Sequence, residues 1–176
     1  LKTEIQSVKN WIEHTARLGG KTLRIFAGNV AKTDTEEKAL ARCIAAIQEC
    51  CEVAAQHGIY LAIENHGGIT ATADQLLAII KAVKHDHFGV NLDTGNFHTA
   101  DPYADLAKIA PYAVNVQLKT EISAAGKPAE EADLKKLISI LRAANYRGYV
   151  ALEYEAKEDA KTAVPKYLAE LKKLVA

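Results

Sequence analysis

Glu64, Asp93, Gln117 and Glu153 are the residues of this sequence whose types and spacing could do chemistry together. Each closes a short run rich in branched aliphatics: YLAIE, GVNLD, AVNVQ and YVALE. A lone glutamate at the end of a strand commonly makes nothing more than a surface ion pair. Four oxygen-bearing side chains at the same strand position point instead to a shared site, because the C-terminal ends of parallel barrel strands are where such folds do chemistry. Three carboxylates and an amide in a shielded cavity repel one another and lose hydration unless a cation or protons compensate. A divalent metal is the simplest compensation, and all-oxygen ligation favours Mg²⁺ or Mn²⁺ over Zn²⁺.

The elements that must position these groups follow from periodicity. Successive side chains of a strand point to opposite faces, so each strand divides into two sets. One set reads Leu23 and Ile25, Leu61 and Ile63, Val90 and Leu92, Val114 and Val116, Val150 and Leu152, all fit to pack under helices. The other reads Thr22, Arg24 and Phe26; Tyr60, Ala62 and Glu64; Gly89, Asn91 and Asp93; Ala113, Asn115 and Gln117; Tyr149, Ala151 and Glu153. A doubly wound sheet covered by helices on both faces needs two apolar sets. One mixed, ionisable set fits a barrel interior better.

Helical segments separate the strands. Ile5, Val8, Ile12 and Ala16 recur at helical spacing before Gly19-Gly20, and Thr35 followed by Glu36 and Glu37 reads as a cap with acidic residues in the first turn. Thr72 and Gln75 have the spacing of a capping box, and Asp101-Pro102 that of a cap with a first-turn proline. Leu134, Leu137, Ile138 and Leu141 mark another helix, and helix-like sequence runs from about Lys161 to the end. The polar stretch from Ser123 to Glu131 reads as a mobile loop. Repeated β-α units require parallel strands with packed helices. The fold class is therefore α/β, about five parallel strands with flanking helices in one domain over residues 1–176.

Composition bounds the partners. The 176 residues carry 22 basic and 22 acidic side chains and are 49% hydrophobic, so no net field draws the chain to nucleic acid or to an anionic membrane. The expected partner is a small molecule. No apolar run reaches the length of a membrane span and the first residues hold no signal-peptide core, which leads to an expected cytoplasmic location. Cys43, Cys50 and Cys51 share one helical segment without zinc-site spacing, and are read as reduced packing residues. The chain begins at Leu1 and contains no methionine, which reads as a truncated product.

The stretches LRIFAG, AIENHGG, GVNLDTGNFH, NVQLK and YRGYVALEYE, taken in order, resemble the sugar phosphate isomerase/epimerase branch of the xylose-isomerase-like TIM barrels, the superfamily that includes AP endonuclease family 2. The resemblance covers essentially the whole chain and aligns it with the last five strands of an eight-stranded barrel, so that it implies a partial (β/α)8 barrel lacking the first three units. It implies a divalent metal held by Glu64, Asp93, Gln117 and Glu153, with Gln117 standing where relatives often have histidine and Asn96 replacing another. It also implies a sugar or sugar phosphate substrate and proton transfer next to a carbonyl through an enediolate, with Glu64 and Glu153 as the acid and base. These implications concern the full-length parent, and for the chain alone the question of activity stays open. A metal-dependent hydrolase or lyase on the same scaffold and an incomplete, non-catalytic domain are the competing readings. The related DNA-repair reading is weakened because its zinc cluster needs several histidines.

Further substrate contacts are expected around the four. Arg24 points inward and is read either as a substrate ligand or as the partner of a carboxylate. His66 and Lys119 each follow a site residue by two and face the same way, while Asn96, His98 and Glu155 lie in strand-end loops. Five strands alone leave two open edges, which offer a route to a homo-oligomer.

Overall fold

The computed structural model describes residues 1–175 as one parallel sheet of five strands, curved into a half-barrel with helices on its outer side. Strands β1 (Thr22–Ile25), β2 (Tyr60–Glu64), β3 (Phe88–Asp93), β4 (Ala113–Lys119) and β7 (Val150–Glu153) lie side by side in that order. Helices α1 (Lys2–Arg17), α2 (Glu36–Gln56), α3 (Ala73–Val83), α4 (Pro102–Ile109), α5 (Leu134–Ala143) and α6 (Ala160–Val175) alternate with them. The helix starts follow the expected caps. Thr35 Oγ1 accepts from the Lys38 amide, Thr72 and Gln75 form the reciprocal capping box, and Asp101 accepts from the Ala104 amide ahead of Pro102.

Leu61, Ile63, Val90, Leu92, Val116 and Leu118 are fully or almost fully buried against the helices. They meet Ile47 and Cys51 of α2, Leu76 and Ile79 of α3, Leu106 and Ile109 of α4 in a single core. The cysteines are free, and burial pushes the Cys51 thiol up to about 12, so these are packing groups and not nucleophiles. Because Leu61 is wholly enclosed in the middle of the sheet, Leu61→Ala is expected to cost about 2–5 kcal/mol, the usual range for a core leucine. A urea titration followed by circular dichroism checks it. A midpoint unchanged from the parent contradicts the packing described.

Two local features depart from the simple alternation. The pairing of β3 with β4 slips at Val90/Asn91, from Val90 opposite Ala113 to Asn91 opposite Asn115. The extra residue, Val114, leaves the helix-facing set: a side chain on Gly89, a member of the inner set, would come within 2.5 Å of Val114 Cγ1. Past the bulge the two strands are in phase, which sets Asp93 directly beside Gln117. The second departure is the expected mobile loop. Glu121–Ile122 (β5) pairs antiparallel with Glu130–Glu131 (β6), Ile122 is buried, and the amides of Ala125 and Ala132 donate to the carbonyls of Thr99 and Thr120. The Ser123–Glu131 segment is thus tied to the ends of its own hairpin and to Thr99 by backbone pairing that its polar composition does not announce.

Candidate active site at the strand ends

The inner face carries a continuous polar band. Register brings Glu64 beside Asn91, Asp93 beside Gln117, and Lys119 beside Glu153. Glu64 is 2% exposed and is held by three donors: Arg24 Nη1 at 3.0 Å and Asn91 Nδ2 at 2.7 Å on Oε2, and Asn96 Nδ2 at 3.3 Å on Oε1. A carboxylate removed from water needs such partners. Gln117 Oε1 accepts from Arg24 at 3.2 Å and from Asn91, while its Nε2 donates to Glu153 Oε2 at 3.0 Å. Glu64, Gln117 and Glu153 are thereby linked through one hydrogen-bonded chain.

Asp93 completes the set. Its Oδ1 accepts from the Gly95 amide at 2.8 Å, whereas its Oδ2 is buried with no hydrogen-bond donor. Burial drives its carboxyl up to about 7, and the neighbouring Glu153 adds to the rise against the opposing pull of the Gly95 amide and Lys119. The Lys119 ammonium lies 3.5 Å from Asp93 Oδ2, 3.9 Å from Glu153 Oε2 and 2.7 Å from Glu155 Oε2. Burial works against that charge, yet the hydrogen bond to Glu155 and the three carboxylates hold the ammonium above the ordinary lysine range.

Each remaining expected residue has a definite place. Arg24 takes the ion-pair option, and its guanidinium also lies over the Phe26 ring at 4.8 Å. His66 packs edge-on against the same Phe26, at 5.0 Å between ring centres, so it belongs to the rim next to Arg24. Asn96 bridges Glu64 and Lys119, whose Nζ donates to its Oδ1 at 3.1 Å. His98 sits apart, its Nδ1 2.7 Å from Ser123 Oγ, and lines a pocket of about 230 Å³ with Asn96, Lys119 and Glu155. Arg24, Asn91, Gln117 and Glu153 line a separate concavity of about 420 Å³ on the inner face.

Three positioning residues escaped the sequence reading. Asn65 is fully buried and exchanges two hydrogen bonds, both 2.9 Å, with the Asp93 backbone, locking the ends of β2 and β3. Thr94 does the same for β3 and β4, its amide donating to the Gln117 carbonyl and its hydroxyl accepting from the Lys119 amide. Asn91 joins Glu64 to Gln117. Its place in the inner set between two polar strands was the available signal, whereas Asn65 and Thr94 lie past the point where alternation says anything.

The donors suit a divalent ion in kind. They are hard oxygens, and the orphaned Asp93 Oδ2 is a buried acceptor aimed at space shared with Glu153 and Lys119. Their present placement is different from a closed shell. Among the described residues no three carboxylate, imidazole or thiol side chains are grouped so as to hold a metal; Glu64 is engaged by Arg24 and Asn91, and the lysine ammonium stands against the other two carboxylates. No described helix is long and apolar enough to cross a membrane.

Comparison with known proteins agrees with this architecture. A curated 3-dehydroshikimate dehydratase from Bacillus anthracis is 28% identical over 105 residues, 58% of this chain, and the match spans only 38% of that relative's length. The crystal structure of a 3-keto-D-glucoside 4-epimerase from E. coli superposes with a TM-score of 0.78 at 19% identity, over 96% of this chain and 70% of that one. A xylose isomerase-like TIM barrel protein from Mycobacterium smegmatis, solved in complex with magnesium, gives a TM-score of 0.76 at 19% identity, over 98% and 67% of the two chains. At such identities the two structural likenesses speak for the fold. The model of the xylose isomerase-like TIM barrel family matches residues 2–174, and with five parallel strands wrapped as a partial barrel the chain belongs to that family.

Proposed function

We propose that this chain forms the catalytic half of a sugar-modifying enzyme, an isomerase or epimerase that moves a proton next to a carbonyl. One observation carries the reading: Glu64, Asp93, Gln117 and Glu153 lie along one concave face at the C-terminal ends of neighbouring strands. The epimerase and dehydratase among the similar proteins support the same class of chemistry. Glu64, Asp93, Gln117 and Glu153 would hold a divalent ion, with Mg²⁺ or Mn²⁺ suited to their oxygens. The magnesium-bound relative supports such an ion in this fold without fixing its identity. When bound, the ion supplies Lewis acidity for the carbonyl and for the enediolate charge.

The side chains divide the remaining work. Glu64 and Glu153 lie on either side of Gln117 along the hydrogen-bonded chain, so a substrate seated over the amide meets a carboxylate at each end. Glu153, partly open to solvent, takes the proton from the carbon next to the carbonyl, whose electron pair moves onto the carbonyl oxygen. For the step to balance, Glu64 enters it protonated and gives that proton to the same carbon from the opposite face, while Glu153 keeps the proton it took. Arg24 and His66, both packed on Phe26 at the rim, would orient hydroxyl or phosphate groups. The curated dehydratase favours a second reading on the same site, in which the same carbanion forms a carbon–carbon double bond by expelling a neighbouring hydroxyl, which leaves as water with the proton that Glu153 took.

Incubating a protein that carries the complete barrel with keto-sugars in D₂O tests the reading. Loss of the proton signal at the carbon next to the carbonyl is expected, with an epimer or isomer as product under the first reading and an unsaturated product under the second. Phosphoester cleavage without exchange contradicts both.

A further inference from the structure

We propose that Lys119 is a tethered counter-cation that competes with the divalent ion for Asp93 and Glu153, and that Glu155 is the post to which the ammonium withdraws when the ion enters. The proposal rests on the metal-holding role given to those residues above.

The ammonium faces oxygen on every recorded side. Glu155 Oε2 lies at 2.7 Å, Asn96 Oδ1 at 3.1 Å, Asp93 Oδ2 at 3.5 Å and Glu153 Oε2 at 3.9 Å. The short contact to Glu155 is a charge-assisted hydrogen bond. The contact to Asp93 is not a hydrogen bond, since that oxygen has no donor. Lys119 is thus anchored to Glu155 and Asn96 and only leans on Asp93 and Glu153. Because Glu155 is 62% exposed, its carboxylate and the bound ammonium can swing outward together, which releases both other carboxylates without breaking the short contact.

The charges close the argument. Glu64 is neutralised by Arg24. With all three ionised, as ligation of an ion requires, Asp93, Glu153 and Glu155 with one ammonium leave two formal negative charges, which a divalent ion cancels. Without the ion the lysine is the only cation touching those three carboxylates in the described structure, so it holds together a set that would otherwise repel itself. The lysine's stem is fixed for this purpose. Its amide donates to Thr94 Oγ1 at 2.9 Å, and Gly95 lets it pass, because a side chain there would meet Lys119 Cδ at 2.7 Å.

Titration of Mn²⁺ into the chain, followed by calorimetry, reads the competition directly. Lys119→Met removes the competitor and is expected to tighten Mn²⁺ binding tenfold or more. Glu155→Gln, a change at an exposed post that leaves the core untouched, drives the ammonium onto Asp93 and Glu153 and is expected to weaken binding several-fold. Circular dichroism of both variants confirms the fold. If Mn²⁺ binds all three proteins equally, or binds the Lys119→Met variant more weakly than the parent, the competition is refuted while the metal assignment stands. Absence of binding in the parent and in both variants refutes the metal assignment and the competition together.

Discussion

Replacing Glu153 by glutamine in a protein that carries the complete barrel lowers turnover by about a thousandfold, the effect of removing a positioned general base. The change keeps the shape of the side chain and an oxygen for ligation. It removes the one property that a proton acceptor needs, and it sits where Gln117 Nε2 and Lys119 Nζ already orient the carboxylate from 3.0 and 3.9 Å. Metal affinity should fall modestly compared with the rate. Rapid-quench measurement of proton exchange separates the two effects. Near-parental turnover with metal retained removes Glu153 from the chemistry.

The second large effect concerns Asp93 in the metal-free chain. Its carboxyl stands near 7 when folded, against an ordinary value of 3.8, because burial disfavours the charged form. Between those two values the folded chain keeps a proton that the unfolded chain has already released. The unfolded state then binds fewer protons, so the contribution of Asp93 to stability is full below about pH 4, declines as pH rises, and is lost above about pH 7. A shift of about three units corresponds to roughly 4 kcal/mol as an upper limit. Asp93→Asn is neutral throughout and should flatten this decline, so that above pH 7 and without metal the variant is the more stable protein. Urea midpoints at pH 4.5 and pH 8 read the difference. Parallel pH profiles for parent and variant contradict the buried, proton-holding carboxyl. Added Mn²⁺ should restore the parent at pH 8 and leave the variant unchanged.

Much of this arrangement was legible in the residue pattern for a physical reason: strand alternation and helix capping are local. YLAIE and GVNLD place Glu64 and Asp93 inward with no knowledge of their neighbours, and the Thr72 to Gln75 box announces its helix in four residues. Other features depend on partners distant in the chain. The slip that carries Val114 out of the helix-facing set arises only where β4 meets β3, and the clasp of Glu121–Ile122 on Glu130–Glu131 depends on backbone groups that any sequence possesses. The same limit applied to the charges. That Arg24 would choose Glu64, and that Lys119 would stand among Asp93, Glu153 and Glu155, follows from the reach of long side chains across a curved sheet, which residue spacing does not encode.

Anomalous scattering from a crystal of the chain soaked in Mn²⁺ tests most directly whether these strand ends serve one cation. The account predicts a single strong peak about 2.0–2.3 Å from oxygens of Asp93 and Glu153, with Gln117 and Glu64 turned toward it and Lys119 swung away from Asp93 and Glu153 together with Glu155. A peak elsewhere on the surface, or an inner face left unchanged at saturating Mn²⁺, contradicts it.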